Sequence, residues 1–311
     1  RVGQGAAAVV HYRETQYLRP WDGEAQVEFG AVLVDTGALP EAIEILQRRL
    51  RDCPDDMSAI FHLGQARAAL GETAAAAAQF RRCLELAPED PLGAATRLAE
   101  CEGADAADLP AAYLRCLFDQ YAEHFDEALL VRLRYRGPWI VHEAVVRVQG
   151  ETTGDILDLG CGTGLAGLLF PPLARHLAGV DLSPKMIDKA RERGIYDRLE
   201  VAEAVAAMTA APASWDVVVA ADVLVYQGDL APMFAAAALA LRPGGILAAT
   251  VEAGDTLDFE LQATRRFRHH PDYVRRTALA AGLDLVLSET AVPRFERNEP
   301  VKALVFVVRR H

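Results

Sequence analysis

The residues best placed to do chemistry are an acid, a glycine turn and a second acid. The stretch runs Asp155-Ile-Leu-Asp-Leu-Gly160-Cys-Gly162-Thr-Gly164. An apolar strand ends at Asp158, and Gly160 and Gly162 then let the backbone turn sharply and come close to a ligand. A helix is predicted to start near Leu165. Leu177-Ala-Gly-Val-Asp181 reads as a second buried strand ending in an acid. Asp181 lies roughly 20 residues beyond the turn, the spacing at which nucleotide-binding doubly wound folds contact a ribose. Two features argue against a dinucleotide. The glycines read G-x-G-x-G rather than G-x-G-x-x-G, and a carboxylate at Asp158 would repel a pyrophosphate. The same carboxylate would attract a cation.

The elements that must position these residues follow in order. Ser183 and Pro184 open a helix running through Arg193, Ser183 as its N-cap. Leu199 to Ala202 reads as a third strand, Trp215 to Ala221 as a fourth that leads to Asp222, and Ile246 to Val251 as a fifth. The run from Met233 to Leu241 is an Ala-rich helix. Pro271 to Ala281 reads as another helix, and Leu283 to Thr290 and Val301 to Val308 as a closing pair of strands.

Residues 154–311 resemble the class I S-adenosylmethionine-dependent methyltransferases, and the glycine stretch resembles their motif I closely. The resemblance implies an α/β fold with a seven-stranded Rossmann-like sheet ending in an antiparallel hairpin. It implies S-adenosyl-L-methionine as cofactor, whose sulfonium and ammonium suit an acid at Asp158. Asp158, Gly160, Cys161 and Gly162 would then hold the methionine part, and Asp181 the ribose. Met186 would pack on the adenine and Glu203 accept from its amino group, with Leu182, Ala204 and Asp222 beside them. Phe118-Asp-Gln-Tyr-Ala-Glu-His-Phe-Asp126, Ala220-Ala-Asp-Val-Leu-Val-Tyr226 and His270-Pro-Asp-Tyr-Val-Arg-Arg276 are similar to a bacterial group of such enzymes with N-terminal tetratricopeptide repeats.

Methyl transfer is an in-line displacement, so a protein mainly aligns the nucleophile and excludes water. The substrate is expected beyond the carboxyl ends of the fourth and fifth strands. Asp222, Tyr226, Glu252, His269 and His270 are the side chains available there. His269, His270 and Tyr226 are the catalytic candidates, a histidine serving as general base if the nucleophile must lose a proton. No metal ligand set is evident. The loop Ala-Asp-Val-Leu-Val-Tyr is not the Asn/Asp-Pro-Pro-Tyr of enzymes that methylate amide or adenine nitrogens, and no paired-Glu clamp for an arginine is seen.

Residues 111–135 read as helical, with Leu114, Leu117, Phe118, Tyr121 and Phe125 forming one apolar stripe. Helices at this position close over the cofactor in many methyltransferases, which makes Tyr113, Phe118, Tyr121 and Phe125 lid candidates. Tyr121 is counted among the cofactor contacts.

The front third repeats. Phe29-Gly30, Gly37, Ala42, Leu46 and Pro54 recur as Leu63-Gly64, Gly71, Ala76, Phe80 and Pro88. The period of about 34, with small residues at helix crossings, marks tetratricopeptide repeats. Two repeats and a capping helix near residues 91–102 are expected. The division is an N-terminal segment 1–23, an all-α repeat module 24–102, a linker and lid helices 103–150, and the catalytic domain 151–311.

The chain has 311 residues, 51% of them hydrophobic, enough for two domains. Its 44 acidic and 32 basic residues give a net charge of -12, which disfavours a nucleic-acid partner. A local basic patch at Arg265, Arg266 and Arg268 remains open. No apolar run suits a membrane span. Five widely spaced cysteines without C-x-x-C fit reduced, cytoplasmic usage. The leading reading is O- or N-methylation of a small molecule, with the repeats covering the site or making a homodimer. Alternatives are a protein or peptide methyltransferase whose repeats hold the target, and a repeat scaffold with a catalytically idle cofactor domain.

Overall fold

The computed structural model describes residues 9, 11–13, 21–102, 109, 111–255, 258–262, 264–296 and 298–311. The chain divides into two compact units, Arg1–Ala106 and Ala107–His311. Most of the N-terminal segment 1–23, and residues 103–108 and 110 at the start of the linker and lid stretch 103–150, lie outside the described residues.

The first unit is helical: α1 (Gly23–Thr36), α2 (Leu39–Asp52), α3 (Met57–Ala69), α4 (Thr73–Leu86) and α5 (Ala94–Glu102). The 34-residue period of the sequence is physical. Asp22 caps α1 through Ala25 N–H, and Asp56 caps α3 through Ala59 N–H. Gly37 and Gly71 both take positive φ at the hairpin turns. A side chain on Gly30 would meet Leu46, and one on Gly64 would lie 2.8 Å from the Phe80 ring. Each pair of helices is thus drawn together at one glycine. Asp90 caps α5, accepting from Ala94 and Ala95 N–H.

Among the described residues the second unit is built on a nine-stranded sheet, not seven. Its strands are β1 (Gly154–Leu159), β2 (Ala174–Asp181), β3 (Arg198–Val201), β4 (Trp215–Ala220), β5 (Leu241–Ala253), β6 (Phe259–Leu261), β7 (Phe267–His269), β8 (Leu283–Glu296) and β9 (Glu299–Arg310). β3-β2-β1-β4-β5 are parallel, β9 runs antiparallel to β5, and β8 pairs with β9. β4 leaves β5 at Ala249, while β9 still pairs at Glu252. The small β6–β7 hairpin therefore takes the freed edge at Glu252 and Ala253. This hairpin is the addition the sequence reading lacks, its strands being only three residues each.

The core strands read as continuous apolar runs because both faces are covered. Leu157, Leu159, Val218 and Leu247 meet α9 (Ala204–Thr209), α10 (Ala231–Ala240) and α11 (Pro271–Ala280). Ile156, Val217, Val219 and Ile246 face the other way, onto Val141 and Val145 of α7 (Gly137–Gln149). α6 (Ala111–Tyr121) continues through Ala122–His124, Phe125–Glu127 and a π-helical turn Ala128–Arg132, and this whole stretch is called the strap below. α8 (Pro184–Glu192) follows β2.

The helix predicted near Leu165 is not there. Gly160, Gly162 and Gly164 all take positive φ, and only a single 3-10 turn, Gly167–Leu169, precedes β2. Gly167 and the Pro171-Pro172 pair interrupt a connection already too short for a helix and its turn. Among the described residues no helix is long and apolar enough to cross a membrane.

Candidate functional site

The carboxyl ends of β1, β2, β3 and β4 open into a cavity of about 1220 Å³, counting the space that opens to solvent. Its floor is the glycine turn. Leu114, Phe118, Phe125, Leu129, Leu133 and Pro138 of the strap and α7 form an apolar roof.

At the β1–β2 end stand three carboxylates. Asp158 is fully buried beneath the turn, and burial away from any cation pushes its pKa up to about 7. Asp181 accepts from Gly162 N–H (2.9 Å) and Ser183 N–H (2.8 Å), and burial raises its pKa as well. Glu203 reaches the wall, but both its oxygens accept from the first turn of α9, at Val205 and Ala206 N–H. It is first a helix cap, which leaves only its remaining lone pairs for a ligand. Gly160, Cys161, Gly162, Leu182 and Ala204 also line the cavity. A side chain on Gly160 would lie 2.6 Å from Val223, so glycine is needed there.

The strap is tied down by its acids, roughly one helical turn apart on one face. Asp119 accepts from the Ser183 hydroxyl at 2.5 Å, Glu123 pairs with Lys189 at 3.1 Å, and Asp126 accepts from Thr163 Oγ1 and pairs with Arg193. The roof is thereby fastened to α8 and to the glycine turn.

At the β4–β5 end the polar groups are a saturated charge network. Asp222 takes φ +56°, held there as its N–H donates to Thr250 Oγ1 and its carboxylate accepts from Thr250. Arg294, almost fully buried, donates to Asp222 (2.7 Å), Glu296 (3.0 Å) and Glu252. Burial opposes its charge, but the three carboxylates outweigh that and hold its pKa above the ordinary value. Arg266 pairs with Glu296 and lies 3.4 Å from Glu252. Arg268 is 3.8 Å from Glu252 and Arg265 lies over the Tyr113 ring, so two of the three arginines of the local basic patch face carboxylates. Tyr226 lines the cavity, edge-on to Phe118, with Arg266 donating toward its oxygen. Gln227 lines it too, and its buried Oε1 has no hydrogen-bond partner.

Several expectations are corrected. His269 is fully buried in β7, off the cavity wall, stacked on Tyr273 with Nε2 3.0 Å from Gly228 O. Burial pushes its pKa down to about 4. His270 is the N-cap of α11, its Nδ1 accepting from Asp272 N–H, and it too is absent from the wall. Neither reaches the cavity as a base. Met186 is fully buried and off the wall, because the Ser183 cap at Met186 N–H turns the first turn of α8 inward. Tyr121 is half-exposed: α6 ends there, and the 3-10 turn that follows resets the phase so that Phe125 faces in instead. Tyr113 packs with Leu109 and Phe267, not on the wall.

Sequence reasoning missed Gln227, Arg294 and Tyr135, and read Arg266 only as part of a basic patch, although all four line the cavity. Arg294 arrives through a bulge in β8, where Arg136 N–H donates to Pro293 O and Phe295 N–H to Leu133 O. Pro293 within an otherwise strand-like run is the one signal that could have shown it. Among the described residues no cluster of His, Cys, Asp or Glu could hold a metal ion.

Residues 156–245 match the family described as methyltransferase domain. The chain is 28% identical over 158 residues to the ubiquinone biosynthesis O-methyltransferase of Xylella fastidiosa strain 9a5c, covering 45% of this chain and 64% of that protein. It is 34% identical over 87 residues to human methyltransferase-like protein 27, covering 27% of this chain and 35% of that one. The fold is shared with 1,6-didemethyltoxoflavin-N1-methyltransferase of Burkholderia thailandensis, solved with its substrate and S-adenosylhomocysteine (TM-score 0.53, 19% identity, 64% of this chain and 88% of that one). It is shared also with the [4+2]-cyclase SpnF (TM-score 0.56, 14% identity, 67% and 99%). The second unit has the α/β fold of S-adenosylmethionine-dependent methyltransferases, and residues 156–245 within it match the methyltransferase domain family. The residues present fit that cofactor: the buried Asp158 carboxylate lines the cavity with no cation of its own, which suits a cationic ligand.

Proposed function

We propose that this protein methylates a small, uncharged nucleophile, a hydroxyl or a neutral nitrogen, carried on an apolar body. One observation carries the reading: a single cavity joins Asp158, Asp181 and Glu203 to Tyr226 and Gln227 under an apolar roof. Asp158 would face the methionine end of S-adenosylmethionine, Asp181 the ribose hydroxyls, and Leu182, Glu203 and Ala204 the adenine. When bound, the cofactor supplies an electrophilic methyl group.

The second half of the cavity selects the nucleophile. Every charged side chain there already has its counter-charge, so a carboxylate or ammonium substrate would have to break an ion pair. The groups left over are neutral. The Tyr226 hydroxyl, raised in pKa chiefly by burial, keeps its proton and can donate it. Gln227 Oε1 can accept. A hydroxyl matches both. The roof excludes water and favours a compact substrate over an extended chain. Both the O-methyltransferase relative and the N-methyltransferase of the same fold act on small molecules by their names.

We also infer that the helical unit is two tetratricopeptide repeats, α1–α2 and α3–α4, with α5 as cap, from the 34-residue recurrence of its caps, turns and glycine contacts.

The test is methyl transfer from labelled S-adenosylmethionine to matched aryl compounds bearing a hydroxyl, a carboxylate or an ammonium group. Transfer to the neutral member is expected to exceed the other two by about tenfold or more. Transfer only to the charged members would overturn the substrate reading.

A further inference from the structure

Tyr196, in the loop between α8 and β3, is not on the cavity wall, yet it shapes the cavity's most buried acid. Its hydroxyl donates to Asp158 Oδ2 at 2.6 Å. Three glycines make room for it. A Cβ on Gly167 would lie 2.2 Å from the Tyr196 oxygen, and one on Gly179 or Gly164 would lie 3.0 or 3.1 Å from its ring. Gly167 is also where the helix after the glycine turn is lost. The connection between β1 and β2 thus gives up a helix and leaves a slot that the tyrosine fills from below.

We propose that Tyr196 is a positioning residue that holds the Asp158 carboxylate, in its ionised form, for the cationic methionine end of the cofactor. The proposal rests on the reading above that Asp158 faces that cation. The titratable groups around Asp158 are Asp181 at the end of β2, Tyr196 in its loop, Cys161 in the turn and Tyr135 after the strap. None is basic. Tyr196 and the Gly167 amide are the neighbours that favour the carboxylate, whereas burial and Asp181 oppose it. The tyrosine's own pKa is driven far up by burial, so it remains a donor.

Because the buried Asp158 carboxyl titrates at about 7 and a cation needs it ionised, cofactor affinity rises as pH rises through that range. Removing the Tyr196 hydroxyl destabilises the carboxylate and moves the inflection to higher pH.

The experiment is calorimetric titration of the full chain with S-adenosylmethionine and S-adenosylhomocysteine across neutral pH, in buffers of different ionisation enthalpy. 5′-methylthioadenosine, which lacks the ammonium, is the control. Wild type is expected to release a proton on binding both adenosyl ligands and none on binding the control. Tyr196→Phe is expected to bind about tenfold more weakly at neutral pH with its inflection displaced upward. Asp158→Asn is expected to lose the pH dependence altogether. A Tyr196→Phe protein that melts earlier but keeps the wild-type inflection shows packing alone and overturns the proposal. Wild-type binding with no inflection overturns it too. Binding of neither adenosyl ligand at any pH overturns the cofactor reading itself.

Discussion

Asp181 shows how much a single side chain does here. Its carboxylate already organises the site by accepting from Gly162 and Ser183 N–H, and its remaining lone pairs are what a ribose would meet. Asp181→Ala is expected to weaken S-adenosylhomocysteine binding roughly 10- to 100-fold by calorimetry, the loss of one or two charge-assisted bonds. Unchanged affinity would remove it from the ribose. His269 makes the opposite case, a histidine whose work is structural. Its folded pKa is depressed to about 4 from 6.5, so its neutral form favours folding above 6.5 and that contribution is lost as pH falls toward 4. The loss is on the order of 3 kcal/mol. His269→Gln is expected to flatten the pH dependence of unfolding in denaturant over that window, while the pH profile of methyl transfer keeps its shape. Asp158, the glycines and Asp181 were legible because strand, turn and acid are contiguous in sequence. Arg294, Arg266 and Tyr196 were not, because each reaches the site through tertiary pairing or a slot between glycines that no local pattern announces.

The strap is the element whose behaviour the geometry fixes most directly. Asp119, Glu123 and Asp126 hold it to Ser183, Lys189 and Arg193, and the Lys189 and Glu123 pair is largely solvated. Such pairs contribute little to stability and are screened by salt. Glu123→Gln is therefore expected to leave the melting temperature nearly unchanged while raising the dissociation rate of S-adenosylhomocysteine several-fold, as measured by stopped-flow. Added salt should speed release in wild type more than in the variant. An equal salt response in both would show that the strap does not gate release. The apolar stripe of this segment was readable from its spacing, but its phase was not. The α-to-3-10-to-π change after Tyr121 rotates Phe125 inward and Tyr121 outward, and helical periodicity assumes one unbroken pitch. The β6–β7 hairpin escaped for a different reason, since a three-residue strand carries no period.

At the scale of the molecule, every described residue lining the cavity belongs to the unit Ala107–His311. That unit expressed alone is expected to bind S-adenosylhomocysteine within a few-fold of the full chain, and a much larger loss would show that the helical unit completes the site. Gly64→Val is expected to destabilise the helical unit by roughly 1–3 kcal/mol, read as an earlier transition in helical signal, because its side chain would overlap Phe80. The glycine turn, finally, bears on what the molecule could become. A helix starting at that turn would aim its amide ends and about half a positive charge at the ligand, the standard seat for a phosphate. Here a 3-10 turn stands in its place. Replacing Asp158 with a neutral residue would lift the repulsion of a pyrophosphate yet supply no helix N-terminus to hold one. The domain is committed to a phosphate-free cofactor twice over, once by a side chain and once by its backbone, and no single substitution reverses both.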